Sequence, residues 1–195
     1  MPTGVAIHDA RERLFAAAER ILLRDGPGGL TSRAVTAQAG CAKGVLHRHF
    51  ADFDTFLAEL VVDRIARLED QAAALRGRAG SGTVADNLTR ALVNLFQSVA
   101  GEIVGLLTSR HELLARLRQT TPRGMPVLTE ATAMIASYLA IEQELGRIAA
   151  DAEVDALAPM LVGTAHLLFA GSHDAPPELD AVRRLVVAAL AGGRA

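Results

Sequence analysis

Apolar residues recur at helical spacing along the whole chain of 195 residues, and no β-branched run alternates with period two for long. The first stripe, Leu14, Ala17, Ala18, Ile21 and Leu22, lies on one face of a helix that Asp9 can cap and that Gly26-Pro27-Gly28-Gly29 stops. Thr31 or Ser32 caps a short helix reaching about Gln38, Gly40 breaks it, and a second short helix covers about 42–48. Asp52 caps a longer helix carrying Phe53, Phe56, Leu57, Leu60, Val61, Ile65 and Leu68. That helix ends near Gly77-Arg78-Ala79-Gly80-Ser81-Gly82, the best linker candidate in the sequence.

Longer helices follow. One is predicted over about 83–99, with Val84, Leu88, Leu92, Leu95 and Val99 as its stripe. Another covers about 102–119 and breaks near His111; Thr121-Pro122-Arg123-Gly124 separates it from a helix over about 126–149. The helix over about 154–170 is apolar nearly all round, and a loop at 171–177 follows it. The last helix, about 178–190, turns Leu179, Val182, Leu185, Val186 and Ala189 inward and Arg183 and Arg184 outward. No internal repeat is present. Residues 156–172 form 17 positions without a formal charge, close to membrane-span length. Pro159, Gly163, His166 and the flanking acidic residues instead favour a helix covered by the core on one face and by a partner subunit on the other. The pattern predicts an all-α fold.

Composition narrows the function classes. Half of the residues (50%) are hydrophobic, yet only 4% are aromatic. A single cysteine excludes an internal disulfide framework and the usual multi-cysteine zinc sites, and is compatible with a reducing cytoplasm. The first residues lack the basic-then-apolar pattern of a signal peptide. The net charge of −2 weighs against a nucleic-acid partner until its distribution is considered. Up to Phe50 there are 7 basic and 4 acidic residues, a balance of +3, which leaves −5 for the remainder.

The basic stretch ends in TSRAVTAQAGCAKGVLHRHF, residues 31–50. These are two short helices joined by a tight turn, with Gly40 where the turn needs a positive φ. Leu30, Val35, Ala39, Cys41, Leu46 and Phe50 are the small or apolar contacts that hold the pair at a steep angle. This is a helix-turn-helix, whose second helix enters the major groove by its N-terminal end. Cys41 is read as a small buried hydrophobe rather than a redox switch.

Here the sequence resembles the TetR family of transcriptional regulators. The resemblance rests on Arg13-Leu14-Phe15-Ala16-Ala17-Ala18, Gly26, Leu30-Thr31, Ala39-Gly40, the run from Lys43 to Phe50, and Phe56-Leu57, covering roughly residues 9–60. It implies a helix-turn-helix DNA-binding domain over 1–53 and a helical ligand-binding and dimerisation domain over 54–195. It also implies a cytoplasmic homodimer on a near-palindromic double-stranded DNA operator, a repressor released by a small-molecule effector. Asp70 and its neighbours on the fourth helix would transmit the change. No enzyme activity, cofactor, metal or membrane attachment is expected. The sequence departs from the family at five positions. The family often has serine or threonine at Ala42 and Val45, tyrosine at His47, lysine at Phe53 and alanine at Thr36. Ala42 is a poor N-cap, a loss of about 1 kcal/mol, and Phe53 removes a phosphate cation.

Lys43 and Gly44, with Ala42 beside them at the start of the second helix, are the base-edge candidates, since lysine can hydrogen-bond to guanine acceptors. Thr31, Ser32 and Arg33 on the first helix, and His47, Arg48 and His49 on the second, are phosphate-contact candidates that position without reading sequence. Among the apolar helices beyond, Asn94, Gln97, Arg110, His111, Tyr138 and His166 could orient a ligand, as could His173. A metal shared by His166 and His173 is disfavoured, because seven residues separate them by ~10 Å along a helix axis. Two competing classes stand beside the regulator. An α-helical enzyme would lack any Gly-rich phosphate loop, His-Glu-x-x-His pair or nucleophile motif. A helical interaction module with a degenerate DNA-binding head is consistent with the departures at Ala42, His47 and Phe53.

Overall fold

Good helix formers punctuated by glycine give a helical chain. The computed structural model describes residues 4–119, 124–171 and 175–192, with side chains from residue 10 onward. Among the described residues the regular structure is entirely helical, as expected. The helices are α1 (Gly4–Asp25), α2 (Ser32–Gln38), α3 (Gly44–His49), α4 (Phe53–Arg76) and α5 (Val84–Phe96). They continue as α6 (Val99–Ser109), α7 (His111–Leu117), α8 (Pro126–Glu144), α9 (Val154–Ala170) and α10 (Leu179–Gly192). Residues 121–123 and His173 lie outside the described residues. No single helix among those described is long and apolar enough to cross a membrane.

Several boundaries differ from the sequence expectation, each for a local reason. α1 starts at Gly4, so Asp9 lies inside the helix and not at its cap; no breaker between Val5 and Asp9 stops the backward extension. α3 starts at Gly44, and Lys43, with no side-chain cap bond, takes the N-cap position expected of Ala42. α5 stops at Phe96 and α6 begins at Val99, so Val99 opens a new helix and Phe96 is buried beside Leu88, Leu92 and Leu95. α8 stops at Glu144 because Gly146 takes φ +70. Its N–H bonds Gln143 O and the Arg147 N–H bonds Glu142 O, both at 2.9 Å, the two bonds of a Schellman ending. In α10 the inward set holds at Val182 and Val186, but Leu179, in the first turn, is 56% exposed.

The chain forms two compact units. One takes the described residues up to Arg64 and the segment that begins at Glu102; the other takes Ile65–Gly101 and the later helices. In the first, α1 packs on α2 and α3 through Leu14, Ala17, Ala18, Ile21 and Leu22, all buried. Four of the six phenylalanines meet there. Phe56 lies 5.6 Å from Phe15, 5.0 Å from Phe50 and 5.6 Å from Phe53, centroid to centroid. The scarce aromatic residues are thus concentrated where the small head needs large buried groups. In the second unit α8 packs on α9, α9 on α10, and α5 on all three.

Candidate nucleic-acid interface

The recognition motif is built from the turn outward. Gly40 has φ +64, its N–H bonds Ala37 O at 3.1 Å, and the Cys41 N–H bonds Thr36 O at 3.0 Å, closing α2 with the same double bond that closes α8. A side chain at Gly40 would be strained by that φ. Cys41 is half-buried, with its thiol donating to Thr36 O at 3.6 Å. At the other end of α2, Thr31 Oγ1 accepts the Ala34 N–H at 3.1 Å. Thr31 is exposed, and a hydroxyl that accepts in such a cap still has its own proton to donate to a phosphate. Ser32 is half-buried and Arg33 exposed.

On α3 the burial pattern separates two faces. Leu46 is fully buried and Phe50, just past the end, is 3% exposed. Lys43, Gly44, His47 and Arg48, spaced i, i+1, i+4 and i+5, are all exposed and share the opposite face. A Cβ on Gly44 would meet nothing within 4 Å, so this point of the face is bare backbone. Ala42 is exposed just before the helix, and His49 is half-buried. The motif candidates are therefore brought together, with His49 turned partly inward.

Two arginines outside the candidate contact set hold this arrangement from α1. Arg13 Nη2 donates to Ala39 O at 2.9 Å, and Arg11 Nη1 donates to His49 O at 3.3 Å. Arg11 also pairs with Glu59 and sits 4.5 Å from the Phe50 ring centroid. Arg13 lies on the polar side of the α1 periodicity, so only its partner marks it, whereas Arg11 precedes Leu14, Phe15 and Ala18 by three, four and seven residues and so continues the apolar stripe, a cation out of pattern. At the start of α4, Asp52 Oδ1 accepts the Thr55 N–H at 2.6 Å. That bond, then the Thr55 hydroxyl and Arg116, hold the Asp52 carboxyl below the ordinary carboxylate range.

The ligand candidates do not converge. Arg110 and His111 belong to the first unit, at the junction of α6 and α7. In the second unit Tyr138 is fully buried, its hydroxyl donating to Glu142 at 2.5 Å and accepting from Asn87 at 3.0 Å. Burial, then the Glu142 bond, pushes this phenol up to about 12, so it stays a neutral donor at physiological pH. His166 is half-buried 5.7 Å from the Phe96 ring, and Phe169 stacks on Phe96 at 5.5 Å. Gln97 is exposed at the end of α5. Asn94 lines a cavity of about 150 Å³, with Gln71, Asn87, Arg90 and Met134 among its other walls. Among the described residues no group of three or more His, Cys, Asp and Glu is placed to hold a metal ion.

Residues 14–60 match the family model of bacterial regulatory proteins of the TetR family, DNA-binding regulators rather than enzymes. No curated protein sequence shows significant similarity to the chain. Solved structures share its fold. The fatty acid degradation regulator FadR of Bacillus halodurans has 18% identity and a TM-score of 0.68, over 95% of this chain and 96% of that one. A transcriptional regulator of Rhodococcus sp. has 21% identity and a TM-score of 0.67, over 93% and 96%. A TetR-family member of Streptomyces coelicolor has 22% identity and a TM-score of 0.62, over 93% and 98%.

Proposed function

From a chain that carries the DNA-binding head of the TetR-family transcriptional regulators over residues 14–60, we propose a cytoplasmic homodimeric repressor that an effector releases from its operator. The observation that carries the reading is the single exposed face of α3, with Lys43, Gly44, His47 and Arg48 on a motif locked by Gly40, Arg11 and Arg13. Two such faces related by a two-fold axis would read half-sites ~34–36 Å apart. Lys43 reads a base edge; Arg33, Arg48, His47 and the Thr31 and Ser32 hydroxyls take phosphates. With so few cations per head, affinity rests on two heads acting together.

Lys43→Ala is expected to cost about 1–3 kcal/mol of operator affinity and to relax base preference at one position of each half-site. Equilibrium titration of a panel of single-base operator variants checks this. Unchanged affinity and unchanged preference remove Lys43 from the interface.

The homodimer reading is supported by α9. Leu157, Ala158, Leu161, Val162 and Ala165 face its own unit, while Met160 and Leu167 are 59% and 72% exposed. Met160, Thr164 and Leu167 fall on one face, with Gly163 between them letting a second helix approach closely. Leu167→Glu puts a charge at the centre of that patch, and light scattering at micromolar concentration should then give monomer where the wild type gives dimer. A monomeric wild type, or a variant as dimeric as the wild type, contradicts this face. The effector is proposed to enter beside Asn94, Arg90 and Gln71, where the cavity of about 150 Å³ must open to admit a molecule of ordinary ligand size. An effector that binds the DNA-incompetent state better shifts the population away from operator.

A further inference from the structure

The segment after Glu102 packs with the head, and two of its arginines grip that head. α6 ends where Thr108 Oγ1 donates back to Val104 O at 3.0 Å and Ser109 Oγ to Leu106 O at 3.0 Å. Such back-bonds compete with the helical ladder, and Arg110 follows in a non-helical conformation at φ −126, ψ 84. The break turns the Arg110 guanidinium toward three parts of the head. Nη2 donates to Leu30 O at 3.2 Å, Nη1 lies 3.8 Å from Asp54 Oδ1, and the group sits 5.7 Å from the Phe53 ring centroid. Leu30 is fully buried and immediately precedes the Thr31 cap of α2. Asp54 and Phe53 form the first turn of α4. Six residues on, Arg116 Nη1 lies 2.8 Å from Thr55 Oγ1 and 3.5 Å from Asp52 Oδ1, steadying the same turn from α7.

We propose that Arg110 is a positioning residue for DNA binding: it fixes the entry of α2 against the first turn of α4, so that α3 is presented in the arrangement that fits the groove. The inference rests on the proposed DNA-binding function. The ion pair with Asp54, long and half-exposed, contributes little by itself. The charge-assisted bond to the Leu30 carbonyl is the stronger contact, and the planar fork lets one side chain hold both ends at once. Phe53 gains a role from this. Where the resemblance places a lysine, this chain has a ring that stacks on Phe56 at 5.6 Å and lies under a cation brought from α6–α7. A head held this way is populated in its binding-competent form, and apparent affinity scales with that fraction.

The test uses the full chain and a duplex that the wild type selects from a random pool. Arg110→Ala should weaken binding about tenfold and leave the slope of log K against log salt at its wild-type value, because no phosphate contact is removed. Arg48→Ala, by contrast, should lower the magnitude of the slope by about one. Arg110→Lys, which keeps the charge and loses the fork, should restore only part of the affinity. If Arg110→Ala loses helical signal, Arg110→Met keeps the stem over Phe53 and carries the same expectation. Unchanged affinity in Arg110→Ala or Arg110→Met overturns the proposal, and so does a loss accompanied by a shallower slope, which would make Arg110 a direct phosphate contact. A wild type that selects no duplex sinks the DNA-binding reading itself, a different outcome from a wild type that binds and a variant that binds as well.

Discussion

Phe56→Ala should destabilise the protein by about 4 kcal/mol and abolish DNA binding with it. Phe56 is fully buried and touches the rings of Phe15, Phe50 and Phe53, so it joins α1, the end of the recognition helix and the start of α4. Phe56 is the fully buried member of that cluster, with Phe15 and Phe50 4% and 3% exposed around it. Truncation removes the transfer free energy of the ring and leaves a cavity that three neighbouring rings cannot fill without moving. Phe56→Leu keeps most of the volume and loses the edge-on contact with Phe50, for a cost of about 1–2 kcal/mol. Urea unfolding followed by helical circular dichroism measures both. A loss below about 1 kcal/mol for the alanine variant would mean that this cluster does not hold the motif.

Glu142→Ala should cost about 3 kcal/mol, although the residue is remote from the recognition motif in sequence. Its carboxylate is fully buried and accepts from the Tyr138 hydroxyl at 2.5 Å and the Gly80 N–H at 3.4 Å, with Arg147 Nη1 3.2 Å away. Asn87 extends the network to Tyr138 and to Ser81 O at 2.8 Å. The cluster therefore fastens the turn between α4 and α5 to the end of α8. Without Glu142, the Tyr138 hydroxyl loses its acceptor and Arg147 its counter-charge. Arg147 keeps 27% exposure, which places the loss at the low end of the range for a broken buried pair. Tyr138→Phe, which leaves Glu142 paired with Arg147, should cost about 1 kcal/mol. Thermal and urea unfolding rank the two variants, and equal small effects would contradict a coupled network.

The head was legible in the sequence because its constraints are local. A glycine at a positive φ, a threonine and an aspartate at helix N-caps, and an apolar stripe on α1 each act within a few residues, and the structure has Gly40, Thr31, Asp52 and Leu14 to Leu22 in those roles. What escaped the sequence is long-range. The carbonyl partners of Arg11, Arg13 and Arg110, which are His49, Ala39 and Leu30, are 26 or more residues away and are brought to them only by folding. In the sequence, Arg110 and Tyr138 look alike as ligand candidates because both are polar among apolar neighbours. The structure gives one to the head and the other to a buried carboxylate. The early start of α1 is hidden in the sequence because Asp9 is a good cap residue, but nothing before it stops the helix. The end of α8 is hidden because Glu142, Gln143 and Glu144 continue the helical pattern up to a glycine that turns the chain.

The most direct test is a fluorescence-anisotropy titration of the full chain with its selected duplex and with a scrambled duplex, between 50 and 200 mM salt. The account predicts selective binding, saturation at two chains per duplex, and a log K that falls linearly with log salt. Equal affinity for both duplexes, or no binding at the lowest salt, would contradict it.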